Sequence, residues 1–429
     1  MSVIQRTEAW FTQNEVEGVD LTLMDPSLIL GTIRDPAASR VPRFAHFHLE
    51  RVHKWIIKKE YDMSRLSSSK AGAAIVVPFL VLFSYGHLLP PQEDSLKERY
   101  ASQFDIGVAV SPGSLHDEKA VARITNDFSS LTPENAMKPE AIWRPDGTYH
   151  FDQADAIVNF AKAHGMKVRG HTLVWHSQTP KAFFSDESGN RVDKITLYRR
   201  LEDYMTHVLG HYHGQVYCWD VVNEALADGG DGIYRTQSPW FEICGEEFIA
   251  EAFRIAHRVD PELRLYYNDY NLIQPAKRSR AIQMLRKLKE DGVPIDGVGM
   301  QAHWDIHSFD PVELQKSLDA FVELGLDVQI TELDMTVYPS YHGPTNEARN
   351  RNREAVVFSE ELERTQAEKY RQVFEVLRRN ADHISSVTFW GLTDRYSWLN
   401  YYPVRGRNDY PLLFDRNDRP KKAYDAVMQ

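Results

Sequence analysis

Two glutamates, Glu224 and Glu332, each end a mostly apolar run. Glu224 closes the run Trp-Asp-Val-Val-Asn-Glu that begins at Trp219, and Glu332 closes the run Val-Gln-Ile-Thr-Glu that begins at Val328. Two carboxyl groups across a cleft can cleave a glycosidic bond, because one donates a proton to the leaving group while the other stays ionised to attack or stabilise the sugar cation. A lone glutamate would more simply cap a helix or pair with an arginine, but a matched pair favours catalysis.

Other chemistries have less support in the sequence. His171 and His176 are five residues apart, which is not the i, i+4 spacing of a zinc-binding helix. His303 and Asp334 could contribute to a metal site, but no set of three or four ligands has metal-site spacing. No Gly-x-Ser-x-Gly motif is present, so a serine hydrolase has no support. We therefore expect neither a metal nor an organic cofactor.

Composition narrows the function classes further. The 429 residues are 42% hydrophobic and 26% charged, as in ordinary globular proteins, and the net charge is −11. An acidic chain without a basic run is a poor nucleic-acid binder and suits a neutral substrate better than a polyanion. Two cysteines, Cys218 and Cys244, are too few for a disulfide framework or a four-cysteine zinc site, so we expect inert core thiols.

The elements that must position the glutamates alternate along the chain after Phe104. Eight strand-like segments are separated by amphipathic helical patterns, which predicts βαβ units and a single (β/α)8 TIM barrel of class α/β. The rival is an open doubly wound sheet, but the first strand lacks the Gly-x-Gly-x-x-Gly turn of that fold. The predicted strands are Phe104–Val110, Ser129–Thr132, Lys167–Val174, Val216–Val222, Arg264–Tyr267, Gly297–Gln301, Asp327–Thr331 and Val387–Trp390. The helical patterns include Phe151–His164, Leu197–Tyr212, Glu246–Val259, Lys277–Asp291, Pro311–Leu324 and Thr365–Asn380.

Polar residues cluster where the predicted strands end. In a barrel the C-terminal ends of all strands face one rim, where active sites are built. Seven of the predicted strands supply acids, amides, histidines or tryptophans to that rim, which indicates a polar cleft lined with aromatic rings. The segments concerned are Glu134–Lys138, His171–His176, Asn223–Glu224, Asn268–Asn271, Gln301–Trp304, Glu332–Asp334 and Trp390–Trp398.

These motifs, in this order, resemble those of family 10 glycoside hydrolases, the endo-β-1,4-xylanases. The resemblance runs from about Phe104 to the C-terminus, and its signatures are Trp-Asp-Val-Val-Asn-Glu224 and Ile330-Thr-Glu-Leu-Asp334. It implies a retaining double displacement through a covalent glycosyl-enzyme, with Glu224 as the acid/base and Glu332 as the nucleophile.

The resemblance also implies supporting roles around the two glutamates. Asn223 would hold the sugar 2-hydroxyl, and Gln301 would orient Glu224. His303, backed by Asp334, would hydrogen-bond Glu332 and keep it ionised. Further substrate contacts would come from Glu134, Asn135 and Lys138 on the glycone side, from His171, Trp175, Trp390 and Trp398 around the cleaved bond, and from Tyr270 as an aglycone stacking platform.

The N-terminal part reads differently from the rest, so we divide the chain into an extension over 1–95 and a catalytic domain over 96–429. Residues after Met63 have the polar, basic start and short apolar run of a signal peptide. Lys59-Glu60 can be encoded by a ribosome-binding sequence, so one hypothesis is that synthesis begins at Met63 and the upstream segment is a translated leader. The alternative is a genuine, poorly ordered N-terminal extension. The apolar run contains Pro78 and is short for a membrane span, so we expect no stable membrane anchor. The protein would be exported if Met63 starts a signal peptide and cytoplasmic otherwise.

Several alternatives stay open at the level of sequence. The residues do not distinguish xylan or xylo-oligosaccharides from the substrates of another barrel β-glycanase, a cellulase or mannanase, since that choice depends on room for a hydroxymethyl group. A catalytically inactive carbohydrate-binding protein and a metal-dependent barrel hydrolase are further rivals. The charged tract from Asn346 to Lys369 is typical of a solvated loop and helix face. The oligomeric state is not visible from the sequence.

Overall fold

The computed structural model describes residues 95–339 and 355–429. Within those residues the strands are β1 (Asp105–Val110), β2 (Ser130–Pro133), β3 (Lys167–Gly170), β4 (Val174–Trp175), β5 (Cys218–Asn223), β6 (Arg264–Asp269), β7 (Gly297–Met300), β8 (His303–Asp305), β9 (Asp327–Thr336) and β10 (Ile384–Phe389). The helices are α1 (Leu96–Arg99), α2 (Glu118–Asp127), α3 (Pro139–Ile142), α4 (Asp152–Ala163), α5 (Lys194–His211), α6 (Pro239–Cys244), α7 (Glu247–Val259), α8 (Pro275–Glu290), α9 (Pro311–Glu323), α10 (Glu360–Arg379) and α11 (Lys422–Met428). The predictions about the N-terminal extension and the first part of the charged tract concern residues outside the described ones.

The strands form one parallel sheet that closes on itself. The order runs β10-β1-β2-β3-β5-β6-β7-β9, and β9 also pairs with β10, which completes the ring. Helices between successive strands cover the outside, so most strand residues are buried on both faces, and every residue of β5 is buried. The predicted (β/α)8 barrel is confirmed.

Two barrel strands are interrupted near the rim. The sequence predicted one strand over Lys167–Val174, but β3 ends at Gly170 and β4 resumes at Val174, where it pairs with the end of β5. A second break separates β7 from β8, which pairs with the end of β9. The breaks fall at His171 and at Gln301, so two residues predicted to be functional lie where the chain leaves the main ladder.

Other boundaries also differ from the prediction. Strand β9 continues to Thr336 rather than ending at Thr331, so Glu332 and Asp334 lie inside a strand, and the segment is buried after its first residue. Helix α2 was not among the predicted helices. It buries Ala120, Ile124 and Asp127, and its N-cap is Asp117, whose carboxylate accepts backbone hydrogen bonds from the first turn.

The barrel interior contains a buried polar cluster below the rim. Arg169 donates from Nη1 to the Asp220 carboxylate at 2.5 Å and from Nε to Gln329 Oε1 at 2.7 Å. Arg169 and Asp220 are both buried, so each charge depends on the other for compensation. Cys218 is next to this cluster, and Cys218 and Cys244 are buried free thiols, as predicted.

A glycine on β7 makes room for a side chain that the site needs. A Cβ added to Gly299 would lie 2.3 Å from Asn268 Oδ1 and 2.9 Å from the Thr331 methyl group. No larger residue fits there without moving Asn268, which lies at the end of the neighbouring strand β6. A glycine at position 299 is therefore needed for the Asn268 amide to occupy its position at the rim.

The first described helix joins the two ends of the barrel domain. Tyr100, which follows α1, donates from its hydroxyl to the carbonyl of Val427 at 2.5 Å. Its ring stacks on Phe104 at a centroid distance of 5.0 Å and contacts Phe374 of α10 at 5.3 Å. Leu96, Tyr100 and Phe104 therefore belong to the core of the barrel domain.

A chain that starts at Ser95 is expected to fold, because it keeps α1 and these aromatic contacts. Its melting temperature, measured by circular dichroism, should stay close to that of the full chain, and any activity should be kept. A chain that starts at Asp105 is the matched comparison. It loses the buried Leu96, Tyr100 and Phe104, each worth about 1.5–3 kcal/mol, so its melting temperature should fall by more than about 5 °C. Insoluble protein from the Ser95 start would show that residues 1–94 are structurally required.

Candidate active site

Glu224 and Glu332 lie on the same rim of the barrel. Glu224 directly follows β5, and Glu332 lies in the C-terminal half of β9. Strands β6 and β7 separate the two in the ring, and both contribute polar side chains between the glutamates. The C-terminal ends of the strands thus bring the two carboxyl groups to one cleft.

Glu332 is buried and surrounded by donors. Its Oε1 accepts a hydrogen bond from Asn268 Nδ2 at 2.8 Å, and its Oε2 lies 3.2 Å from His303 Nε2. Burial alone would raise the pKa of Glu332. The hydrogen bond from His303, the nearby charges of His171 and His303 and the Asn268 contact outweigh it and lower that pKa to about 2. The carboxylate is therefore ionised throughout the neutral range.

His303 is held between two carboxylates. Its Nδ1 lies 3.0 Å from Asp334 Oδ2, which also accepts from the Trp398 indole nitrogen at 2.9 Å. Burial opposes the charged imidazolium, but Asp334 and Glu332 more than compensate and raise the pKa of His303 to about 10. A charged His303 donates from both ring nitrogens, so it neutralises Glu332 without supplying a proton at neutral pH.

Replacing His303 with asparagine is expected to move the acidic limb of the pH profile of kcat/KM upward by about one to three pH units. The variant removes the positive charge beside Glu332, and an opposite charge at this distance lowers a carboxyl pKa by about that amount. The profile on a soluble substrate measures the shift. A matched change at the exposed His383 should leave the profile unchanged. An unmoved acidic limb in the His303 variant would contradict the electrostatic role.

Glu224 has a different environment from Glu332. It is half-buried, its Oε1 accepts from Gln301 Nε2 at 3.0 Å, and its Oε2 accepts from the Trp175 indole nitrogen at 2.8 Å. These donors are neutral, and no cation contacts its carboxyl group within the described residues. One carboxylate held ionised by a cation and a second one held by neutral donors is the arrangement that separates a nucleophile from a proton donor.

Three amides connect the two glutamates. Asn223 Oδ1 accepts from Asn268 Nδ2 at 2.9 Å and from Gln301 Nε2 at 3.2 Å. The amide of Asn268 is oriented by Thr331, whose hydroxyl donates to its Oδ1 at 2.7 Å. Asn223 Nδ2 is buried without a partner, so this donor is available to a hydroxyl group of a bound ligand.

Lys138 lies near one end of the cleft. It is buried, and its ammonium donates to Asn135 at 2.9 Å and to Gln178 at 3.0 Å and lies 4.8 Å from the Trp175 ring centre. Burial lowers the pKa of Lys138, and the negative charges of Glu332, Glu134 and Glu224 act against that shift. Burial raises the pKa of Glu134, although the charge of Lys138 opposes it. The structure thus brings the predicted group Glu134, Asn135 and Lys138 together.

The predicted residues His171, Trp390 and Trp398 lie close together around His303. His171 is buried, with its Nδ1 2.8 Å from Asp220 Oδ2, and its ring meets the edge of Trp390 at 5.3 Å. Trp390 also packs edge-on to His303 at 6.4 Å, and Trp398 contacts His303 at 5.0 Å. His171, Trp390 and Trp398 therefore form one cluster with His303, the residue that contacts Glu332.

The Tyr270 side chain is held by polar contacts and is not the freely exposed stacking surface expected from the sequence. Its hydroxyl donates to Asp228 at 2.6 Å and accepts from Arg235 at 2.7 Å, and the Lys277 ammonium lies 3.4 Å from its ring centre. The cation covers one face of the ring, so only the other face could stack on a sugar.

Three residues in this site were not assigned a role from the sequence. Asn268 bridges Asn223 and Glu332, Gln178 binds Lys138, and Arg235 contacts the backbone of Glu224. Asn268 lies within the strand-end segment Asn268–Asn271, and Gln178 lies two residues after the segment His171–His176. This proximity to polar strand-end motifs was the feature of the sequence that could have identified them. Arg235 lies in a loop after β5, and no local pattern points to it.

In the described ranges, no group of three or more histidine, cysteine, aspartate or glutamate side chains could hold a metal ion. Activity is accordingly expected to be unchanged after dialysis against EDTA, because the proton transfer and electrostatics above use only side chains. Assays before and after dialysis measure this. Activity that is lost with EDTA and regained with a single divalent ion would show that a metal takes part.

A closed parallel barrel with two glutamates in contrasting environments at its C-terminal rim defines a class, the (β/α)8-barrel glycoside hydrolases. The chain belongs to one family of that class, glycosyl hydrolase family 10, whose family model matches residues 95–429.

Individual relatives agree with this membership. A β-1,4-xylanase of Dictyoglomus thermophilum is 45% identical over 359 residues, which is 83% of this chain and 97% of the relative. An endo-1,4-β-xylanase of Geobacillus stearothermophilus is 39% identical over 335 residues, 78% of this chain and 98% of the relative. The crystal structure of an endo-1,4-β-xylanase from Caldicellulosiruptor owensensis has a TM-score of 0.73 at 40% identity and covers 78% of this chain and 99% of that one.

The structure also bears on membrane association. Across the two described ranges, no helix has the length and apolar content needed to cross a membrane.

Proposed function

We propose that this protein is a retaining endo-β-1,4-xylanase that hydrolyses xylan or xylo-oligosaccharides. The observation that supports it most is the contrast between the two rim glutamates, one buried against the cation His303 and one held by neutral donors. Membership of glycosyl hydrolase family 10 and relatives named as xylanases support the substrate.

In the first step Glu332 attacks the anomeric carbon. A bond forms between a Glu332 carboxylate oxygen and that carbon, and the glycosidic carbon–oxygen bond breaks. Glu224 gives its proton to the departing oxygen, so the leaving sugar departs as an alcohol. The result is a covalent xylosyl-enzyme with the opposite anomeric configuration.

In the second step water takes the place of the leaving sugar. The ionised Glu224 accepts a proton from water, the water oxygen attacks the anomeric carbon, and the bond to Glu332 breaks. Two inversions give net retention. His303 stays protonated during both steps, because its role is to stabilise the negative charge of Glu332.

The remaining residues bind and orient the sugar. Asn223 has a buried amide donor without a partner, which suits the 2-hydroxyl beside Glu332, and Gln301 fixes Glu224. Sugar hydroxyls further out on the glycone side would meet the polar group of Glu134, Asn135 and Lys138. The walls of the subsite at the cleaved bond would be His171, Trp175, Trp390 and Trp398, and Tyr270 would offer its uncovered face to the leaving sugar.

Product analysis on xylohexaose tests this function. Mass spectrometry should find xylobiose, xylotriose and xylotetraose early in the reaction, since an endo enzyme cuts internal bonds. Parallel assays on xylan and carboxymethylcellulose test the substrate class, and faster hydrolysis of xylan is expected. Faster hydrolysis of carboxymethylcellulose or of a mannan would instead assign another barrel β-glycanase, and binding of xylan without cleavage would indicate an inactive carbohydrate-binding protein.

A further inference from the structure

The backbone of Glu224 has an unusual conformation. Its φ is 57°, in the left-handed region that L-amino acids with a side chain rarely adopt. Such a conformation persists only where the surrounding contacts hold it, and it is found preferentially at functional sites. The orientation of the Glu224 side chain therefore depends on what fixes its two peptide groups.

The backbone N–H and the carbonyl oxygen of Glu224 each have a hydrogen-bond partner. On one side, the Glu224 N–H donates to the carbonyl oxygen of Asn268 at 2.9 Å. On the other side, the Glu224 carbonyl oxygen accepts from Nε of Arg235 at 3.0 Å. The first contact comes from a barrel strand, and the second comes from a side chain eleven residues further along the chain.

Arg235 is itself fixed by several contacts. Its backbone N–H donates to the carbonyl of Ala225 at 2.8 Å. Its Nη2 donates to Tyr270 Oη at 2.7 Å and to Asp228 Oδ2 at 3.0 Å. Its side chain is only 20% exposed. The guanidinium is thus held in place independently of any ligand.

The partner of Arg235 is anchored to the barrel. Asp228 also pairs with Lys277 Nζ at 2.8 Å, and Lys277 pairs with Asp269 at 2.9 Å. Lys277 and Asp269 are both buried, and Asp269 is the last residue of β6. The chain of contacts therefore runs from a barrel strand through Arg235 to the carbonyl of Glu224.

We propose that Arg235 is a positioning residue for the acid/base, which holds the left-handed backbone of Glu224 and so aims its carboxyl group at the leaving oxygen. This inference rests on the proposed function, since it takes Glu224 as the proton donor. Without the guanidinium, the peptide after Glu224 keeps the hydrogen bond from its Ala225 N–H to Tyr267 Oη at 3.0 Å, but its carbonyl oxygen loses the contact with Arg235. The backbone then relaxes toward an ordinary φ. That rotation moves the Cα–Cβ bond and carries the carboxyl group away from Gln301 and Trp175.

The test measures how kcat/KM of the full chain depends on leaving-group acidity, with aryl β-xylobiosides from dinitrophenyl to phenyl. A dinitrophenolate departs without a proton, whereas phenol needs the acid. We expect Arg235→Met to lose about 10- to 100-fold on the phenyl substrate and less than about twofold on the dinitrophenyl one, as for a misplaced catalytic group. In Arg235→Lys, the dependence of kcat/KM on leaving-group acidity should be steeper than in the unmodified enzyme but less steep than in Arg235→Met. This variant replaces the methionine variant in the test if the latter does not fold.

Arg280 provides the matched control. Its guanidinium contacts the carbonyls of Gly232, Ala227 and Gly230, so it clamps the same loop with the same chemistry but does not touch Glu224. Arg280→Met should retain the leaving-group dependence of the unmodified enzyme. The same steepening in the Arg280 and Arg235 variants would overturn the proposal, because it would then reflect loop order in general.

Two further outcomes also overturn it. Equal losses on all aryl substrates in the Arg235 variants would indicate a structural role. An unchanged dependence with a raised KM for xylohexaose would indicate that Arg235 binds the aglycone sugar directly. Glu224→Gln in the same series separates this proposal from the proposed function. If that variant does not steepen the dependence, Glu224 is not the acid and the assignment of the two glutamates fails first.

Discussion

Glu332→Ala is expected to reduce turnover of xylan by about four or more orders of magnitude. Without the carboxylate no covalent intermediate forms, and removing a nucleophile costs about this much where it has been measured. The initial rate of reducing-sugar release measures the loss. Glu323, exposed at the end of α9, is the matched control, and Glu323→Ala should keep the full rate.

Azide is expected to restore part of the activity of Glu332→Ala. The small anion occupies the space of the missing carboxylate and attacks the anomeric carbon from the same side. The product should be an α-xylosyl azide, in which one inversion replaces two. An inverted azide product from Glu224→Ala instead would mean that the roles of the two glutamates are exchanged.

Glu224→Gln is expected to affect substrates unequally. The amide keeps the shape of the side chain and its contact with Gln301 but has no acidic proton, so cleavage of xylan should fall by about 10²- to 10⁴-fold. An aryl xylobioside with an activated leaving group needs little proton donation in the first step, so its kcat/KM should fall far less. Steady-state kinetics on both substrates measures the difference.

The second step of the mechanism gives Glu224→Gln a further signature. Water attack also uses Glu224, now as a base, so the covalent intermediate should accumulate on the activated substrate and produce a burst of phenol. Glu262, exposed after α7, offers a matched Glu→Gln change that should alter neither step. Equal rate losses on xylan and on the activated substrate would contradict the acid/base assignment.

The sequence was sufficient for the barrel and for the rim because both follow from local patterns. Buried parallel strands appear as short apolar runs, and their polar C-terminal ends then meet at one face. Glu224 and Glu332 could be named because each ends such a run. The boundaries of β3 and β9 were wrong by several residues, because the breaks and extensions at the rim depend on pairing with neighbouring strands rather than on the residues themselves.

The contacts that tune the site could not be read from the sequence. The bridge through Asn268 and the clamp through Arg235 depend on side-chain geometry between segments that are far apart in the chain. The left-handed backbone of Glu224 is equally invisible, because glutamate is not a residue type that indicates a positive φ. Such departures from local preference are expected where function imposes them.

The central claim is that Glu332 forms a covalent bond to the sugar. The enzyme is incubated with a 2-deoxy-2-fluoro-xylobioside that carries an activated leaving group. The fluorine slows both steps, but the leaving group makes the first step faster than the second, so the covalent intermediate accumulates. Peptide mapping by mass spectrometry should then find one fluoroxylobiosyl group, attached to the side chain of Glu332. A label on Glu224, or an enzyme that turns over xylan but takes up no label, would contradict the account.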